Sequence, residues 1–150
     1  MSADAAEIWQ GLRTLVLDRH DVKAAACAAL GMSFIRVRAL RLVAAGPLPL
    51  GTLAERLGTD PPYVTVIVDD LAARGLLTRE PNPGDRRSRL VTLTAAGRRA
   101  AATAESILGA PPEPLLALSP ADLGTLDRIV TALLHPSTGG EPHGRGGRFP

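Results

Sequence analysis

The chain has 150 residues, 45% apolar and 21% charged, a balance that suits one globular domain with a real core and excludes a wholly disordered protein. No apolar run reaches the roughly 18–20 residues of a membrane-spanning helix. The start MSADAAEIWQ lacks the basic residues of a secretory leader, and the lone Cys27 excludes an internal disulfide, so a cytoplasmic protein is expected. The net charge of +2 is unevenly spread: residues 79–99 hold six Arg against Glu80 and Asp85, a net of +4 in 21 residues. A local basic stripe on an otherwise balanced chain is the footprint of a polyanion site.

In chain order, a first helix is expected over about residues 4–17, with Ile8, Leu12, Leu15 and Val16 on one face. DVKAAACAALG makes a second helix that stops at Gly31. Ser33 caps a third, FIRVRALRLVAA, which is apolar on most sides and therefore central; Gly46 and Pro47 end it. LGTLAERLG is a short helix closed by Gly58. TDPPYVTVIVDDLAARG follows, with Thr59 or Asp60 as N-cap and Pro61 where a missing N–H does no harm. Its Val64, Ile67, Val68 and Leu71 recur at i, i+3, i+4 and i+7, which makes one buried face.

LLTRE and RLVTLT read as two strands joined by the turn residues PNPGD, with Thr92 and Thr94 pointing outward. Thr94 caps an Ala-rich helix that runs to about Leu108 and is broken by GAPPEP. Ser119 and Asp122 have capping-box spacing ahead of a last helix bearing Leu123, Leu126, Ile129, Val130 and Leu133. From Pro136 onward PSTGGEPHGRGGRFP is too rich in Gly and Pro to fold, and a disordered tail is expected at 135–150.

The fold class expected is mainly α with a small β-hairpin. Short helix, helix, hairpin is the order of a helix-turn-helix followed by a wing. The second helix of such a pair enters the major groove by its N-terminal end, which nominates Pro62, Tyr63, Thr65 and Val66 as groove residues. With no basic residue early in that helix, base contacts would rest on hydroxyls and on apolar contact with thymine methyls. The hairpin tip carries Arg86, Arg87 and Arg89, suited to phosphates and a narrow minor groove. Asp85, two residues before Arg87, is expected to orient that guanidinium by a bidentate pair. Asp69 and Asp70 are expected to weaken attraction to phosphates.

Residues 53–98, LAERLGTDPPYVTVIVDDLAARGLLTREPNPGDRRSRLVTLTAAGR, resemble the core of the MarR family of bacterial transcriptional regulators. The most specific features are Asp85-Arg86-Arg87 in the wing and Leu93-Thr94 to Gly97-Arg98 at the next helix start. The resemblance extends in layout over about residues 5–134. It implies a winged helix-turn-helix at 32–94, with N- and C-terminal dimerisation helices at 1–31 and 95–134. It further implies a homodimer on pseudo-palindromic double-stranded DNA, in many members released by a small, often phenolic anion or by cysteine oxidation.

Arg13, His20 and Arg36 are the candidates for such an effector, although surface or helix-terminal charges near Asp18 and Asp21 explain them more readily. Cys27 is the candidate for redox sensing, against an inert residue in an Ala-rich helix. Trp9 reads as dimer packing. No catalytic constellation, phosphate loop, cofactor motif or metal set is present in the sequence, so no enzyme and no cofactor are expected. Aromatic residues are 3%, too few for single-strand stacking surfaces. The other class open to a winged helix, a protein-contact adaptor or antirepressor, would want an apolar or acidic wing.

Overall fold

Several helix boundaries follow local capping chemistry in the computed structural model, which describes residues 4–136. Helix α1, Ala5–Arg13, starts where the Asp4 carboxylate accepts from the Ala6 N–H at 3.2 Å. It widens into a π-helical segment, Thr14–Arg19, where the sequence had suggested a plain helix ending near residue 17. Helix α2, Val22–Leu30, is capped by Asp21, which accepts from Ala24 N–H at 2.9 Å, and ends at Gly31 with φ of 61°, a left-handed conformation that suits glycine.

Helix α3, Phe34–Ala44, begins after Ser33. That serine makes no capping bond to the backbone; its Oγ instead accepts from Arg36 Nη1 at 2.9 Å. Helices α4, Leu50–Leu57, and α5, Pro61–Ala73, form the helix-turn-helix pair. Of the two possible N-caps of α5 it is Asp60 that serves, accepting from Tyr63 N–H at 2.9 Å.

Strands β2, Leu77–Pro81, and β3, Arg89–Leu93, pair antiparallel with Leu77 opposite Leu93 and Pro81 opposite Arg89. A third strand, β1, Leu48–Pro49, pairs with β3 through Leu48 opposite Val91, giving the order β1-β3-β2. Two residues between a glycine-proline turn and a helix are too short to carry a period-2 signal, so the sequence did not announce it. Thr92 does not point freely outward: its Oγ1 is buried and has no hydrogen-bond partner among the described residues.

Helix α6, Ala95–Leu108, is fastened to the hairpin at its first turn. Thr94 Oγ1 accepts from Gly97 N–H at 3.0 Å and donates to Gly75 O at 2.6 Å, while Thr94 N–H donates to Leu76 O at 3.1 Å. A side chain at Gly97 would be driven into the Leu76 carbonyl. The Thr-x-x-Gly spacing is thus a docking joint between α6 and the start of β2.

The core is one apolar cluster in which Val37 and Leu40 of α3, Leu53 of α4, Val64, Ile67, Val68 and Leu71 of α5 and Val91 of β3 are fully buried. Burying each such side chain contributes about 1.5–3 kcal/mol before entropy is set against it. All four residues of the predicted α5 face are in it. Helices α2 and α3 pack on α6.

The chain divides into two compact units at Ala110 and Pro111. In the second, α7, Glu113–Leu116, occupies part of the stretch expected to be a simple break. Helix α8, Pro120–Leu134, follows, with Ser119 Oγ accepting from Asp122 N–H at 3.2 Å and donating to the Asp122 carboxylate at 2.6 Å. Of the tail expected at 135–150, everything after residue 136 lies outside the described residues. No helix among the described residues is long and apolar enough to cross a membrane.

Candidate nucleic-acid interface

With α5 pinned by its buried face, the opposite side is left to solvent. Pro62, Tyr63, Thr65 and Val66 are all exposed there, Tyr63 by 41% and Val66 by 55%. Thr65 donates its hydroxyl proton to Pro61 O at 3.1 Å. The two aspartates further along the helix are not loose negative charges. Asp69 pairs with Arg79 of β2 at 2.5 Å, and Asp70 accepts from Arg36 of α3 at 2.7 Å and from Arg74 at 3.0 Å.

Arg74 also donates to Gly31 O at 2.9 Å, so the end of α5 is tied to the turn between α2 and α3. The hydrogen bond from Arg36 is the main reason the Asp70 carboxyl titrates below its ordinary range; the nearby charges of Arg74 and Arg36 add to it against a desolvation cost. The expectation that Asp69 and Asp70 repel phosphates is therefore corrected: each is offset by an arginine from another element. Those partners lie 10 and 34 residues away, so helix periodicity alone could not find them.

The wing tip is a series of turns built by side chains that accept from backbone N–H groups. Asn82 Oδ1 accepts from Gly84 N–H at 3.0 Å, Asn82 Nδ2 donates to Ser88 Oγ at 2.7 Å, and Asp85 Oδ1 accepts from Arg87 N–H at 2.9 Å. Asp85 does act on Arg87, but through the main chain; no Asp85–Arg87 ion pair is present among the described residues. A carboxylate two residues upstream reaches the N–H in an Asx turn without fixing a long side chain, which explains the substitution of one contact for the other. Arg86, Arg87 and Arg89 all stand exposed on this scaffold. Asn82 was not singled out from sequence, although an Asn at the start of a Pro-Gly turn is a recognisable Asx-turn signal.

The remaining candidates do not gather in one place. Arg13 borders a shallow groove of about 220 Å3 with Gln10 and Asp18. His20 borders a larger one of about 450 Å3 with Arg19, Val22 and Ile107, and its Nε2–H donates to Ala110 O at 2.7 Å. Arg36 is committed to Asp70. Cys27 is half-buried in α2. Among the described residues no cluster of His, Cys, Asp or Glu could hold a metal ion.

Residues 30–88, the segment that holds α3 to the wing tip, match the model of the MarR family. Solved structures agree over nearly the whole chain. RV1404 from Mycobacterium tuberculosis is 26% identical, with a TM-score of 0.77, covering 94% of this chain and 98% of its own. YusO from Bacillus subtilis is 23% identical, with a TM-score of 0.74, covering 91% and 100%. MepR from S. aureus, solved as a MepR–DNA complex, is 16% identical, with a TM-score of 0.61, covering 81% and 97%. No curated protein matches the chain. The helix-turn-helix and wing are thus similar in sequence to the MarR family over residues 30–88, and the fold that surrounds them is similar to that of RV1404 and YusO.

Proposed function

We propose that the protein is a homodimeric, sequence-specific transcriptional regulator of double-stranded DNA, acting in the cytoplasm as a repressor. The observation that carries this reading is the wing: three exposed arginines on a turn braced by Asn82 and Asp85, after a helix that exposes Pro62, Tyr63, Thr65 and Val66. Guanidinium groups at such a tip suit phosphates and the narrow minor groove, while α5 is presented to the major groove. Pro62, Tyr63, Thr65, Val66, Arg86, Arg87 and Arg89 make the contacts, and Asp85 shapes the turn that carries Arg87. The relative solved as a DNA complex supports the choice of ligand.

Dimerisation is supported by apolar side chains that stand exposed among the described residues. In the first unit Ile8, Trp9 and Val16 are 54%, 61% and 57% exposed. In the second, Leu133 and Leu134 are 69% and 70% exposed. Residues 1–31 and 95–134 are accordingly assigned to dimerisation and 32–94 to DNA. A small-molecule effector that releases DNA would find its nearest opening in the groove beside His20.

The test is fluorescence anisotropy of the purified protein on its own upstream intergenic DNA against scrambled duplex, at low and physiological salt. A preference of about 10³ or more that persists at the higher salt, with a salt slope reporting several phosphates, is the expected result. Equal binding to both duplexes, erased by salt, would favour a protein-contact adaptor instead.

A further inference from the structure

We propose that the recognition helix selects its half-site by thymine methyl groups, with Val66, Tyr63 and Pro62 as the specificity-determining residues. This deepens the DNA-binding reading above and rests on it. Helix α5 reads PPYVTVIVDDLAA and contains no Arg, Lys, Asn, Gln or His. It therefore lacks every side chain that makes a bidentate pair with guanine or adenine in the major groove.

Apart from the Tyr63 hydroxyl, the polar side chains of α5 are engaged within the protein. Thr65 gives its only side-chain proton to Pro61 O at 3.1 Å, so it cannot donate to an acceptor edge. Aspartates can accept from the cytosine amino group, but Asp69 holds Arg79 at 2.5 Å and Asp70 holds Arg36 at 2.7 Å. Arg74, just past the helix, is bound to Asp70 and to Gly31 O. These pairs brace the helix against α3 and the wing and remove its charges from base reading.

What α5 turns outward is apolar surface, the Pro62 ring, the Tyr63 ring and the Val66 isopropyl group, the last 55% exposed. The one base edge in the major groove that rewards apolar contact is the C5 methyl of thymine. A helix of this kind gains affinity from T·A pairs at its contact positions and nothing from G·C pairs, while the wing supplies sequence-independent attraction.

The experiment separates the methyl from everything else about thymine. The full-length protein is used to select its best duplex from a random-sequence library, and each thymine of that duplex is replaced singly by deoxyuridine, which keeps the base pair and loses only the methyl. Anisotropy titrations then compare wild type, Val66→Ala and Arg87→Ala. Replacement at one or two positions per half-site should weaken wild-type binding roughly fourfold each, the value of one buried methyl. At the position that Val66 contacts, Val66→Ala should bring the thymine duplex down to the deoxyuridine duplex and abolish the difference between them. Arg87→Ala should weaken both duplexes alike and leave their ratio intact. Equal affinity for thymine and deoxyuridine at every position, or a ratio that persists undiminished at every sensitive position in Val66→Ala, overturns the inference while leaving DNA binding in place. A library from which no duplex is selected overturns both.

Discussion

Gly97→Ala sets two physical effects of opposite sign against each other. In a helix interior, replacing Gly by Ala ordinarily stabilises by up to about 1 kcal/mol through helix propensity. At Gly97 the new Cβ would press on the Leu76 carbonyl oxygen, with the Leu76 carbonyl carbon at 3.0 Å and Leu93 Cδ2 at 3.1 Å. The obstacle is mostly backbone, so it cannot rotate away as a flexible side chain would. The first turn of α6 must back off, and with it the bonds from Thr94 to Gly75 O at 2.6 Å and to Leu76 O at 3.1 Å are stretched. Overpacking of this kind costs about 1–3 kcal/mol, and each weakened hydrogen bond adds about 0.5–1.5 kcal/mol. The steric term outweighs the propensity term, and a net loss of about 1–3 kcal/mol is expected.

Thermal unfolding followed by circular dichroism at fixed protein concentration reads this as a fall in Tm of about 2–4 °C for each kcal/mol. Gly124→Ala in α8 is the internal control, since a Cβ there meets nothing within 4 Å and only propensity acts. Gly124→Ala should hold or raise Tm. An unchanged or higher Tm for Gly97→Ala would refute the reading of Thr94 and Gly97 as a tight docking joint.

Arg87→Ala should cost on the order of 1–3 kcal/mol of operator affinity and flatten the salt slope by about one phosphate, measured by anisotropy across a salt series. Asp85→Ala should also weaken binding, although it removes a negative charge, because Arg87 N–H loses its acceptor and the wing turn loosens; tighter binding would mean that Asp85 is merely repulsive. The lowered Asp70 carboxyl, bound chiefly by Arg36, contributes stability that is complete above the usual carboxylate range and is lost as pH falls through its folded value. Urea unfolding in acid should accordingly show a shallower pH dependence in Asp70→Asn than in wild type, and parallel curves would exclude the contribution. Leu12→Asp in α1 with Val16→Asp in the π-helical segment that follows it, positions 40% and 57% exposed, should shift the sedimentation coefficient to that of a monomer without unfolding the chain.

The elements legible from sequence are those whose causes lie within a few residues. Asp21, Asp60, Thr94 and Ser119 each accept a backbone N–H three positions ahead. Gly31, Gly58 and Gly75 each supply the positive φ that ends or follows a helix. The α5 core face and the basic wing were likewise visible, the first as a 3.6-residue period and the second as clustered charge, and from these the winged helix-turn-helix followed.

Tertiary structure decided the rest because its causes join distant parts of the chain. The Leu48 strand exists only because β3 offers it an edge. Arg36 meets Asp70 across 34 residues and Arg41 meets Glu105 across 64, pairings that no local period encodes. Asp85 chose the Arg87 backbone over its guanidinium because a short carboxylate in a tight turn reaches the nearer donor at less entropic cost. Sequence determined which surfaces carry charge and which carry methyl groups; packing determined which of those charges were spent inside the protein and which surfaces were left for a ligand.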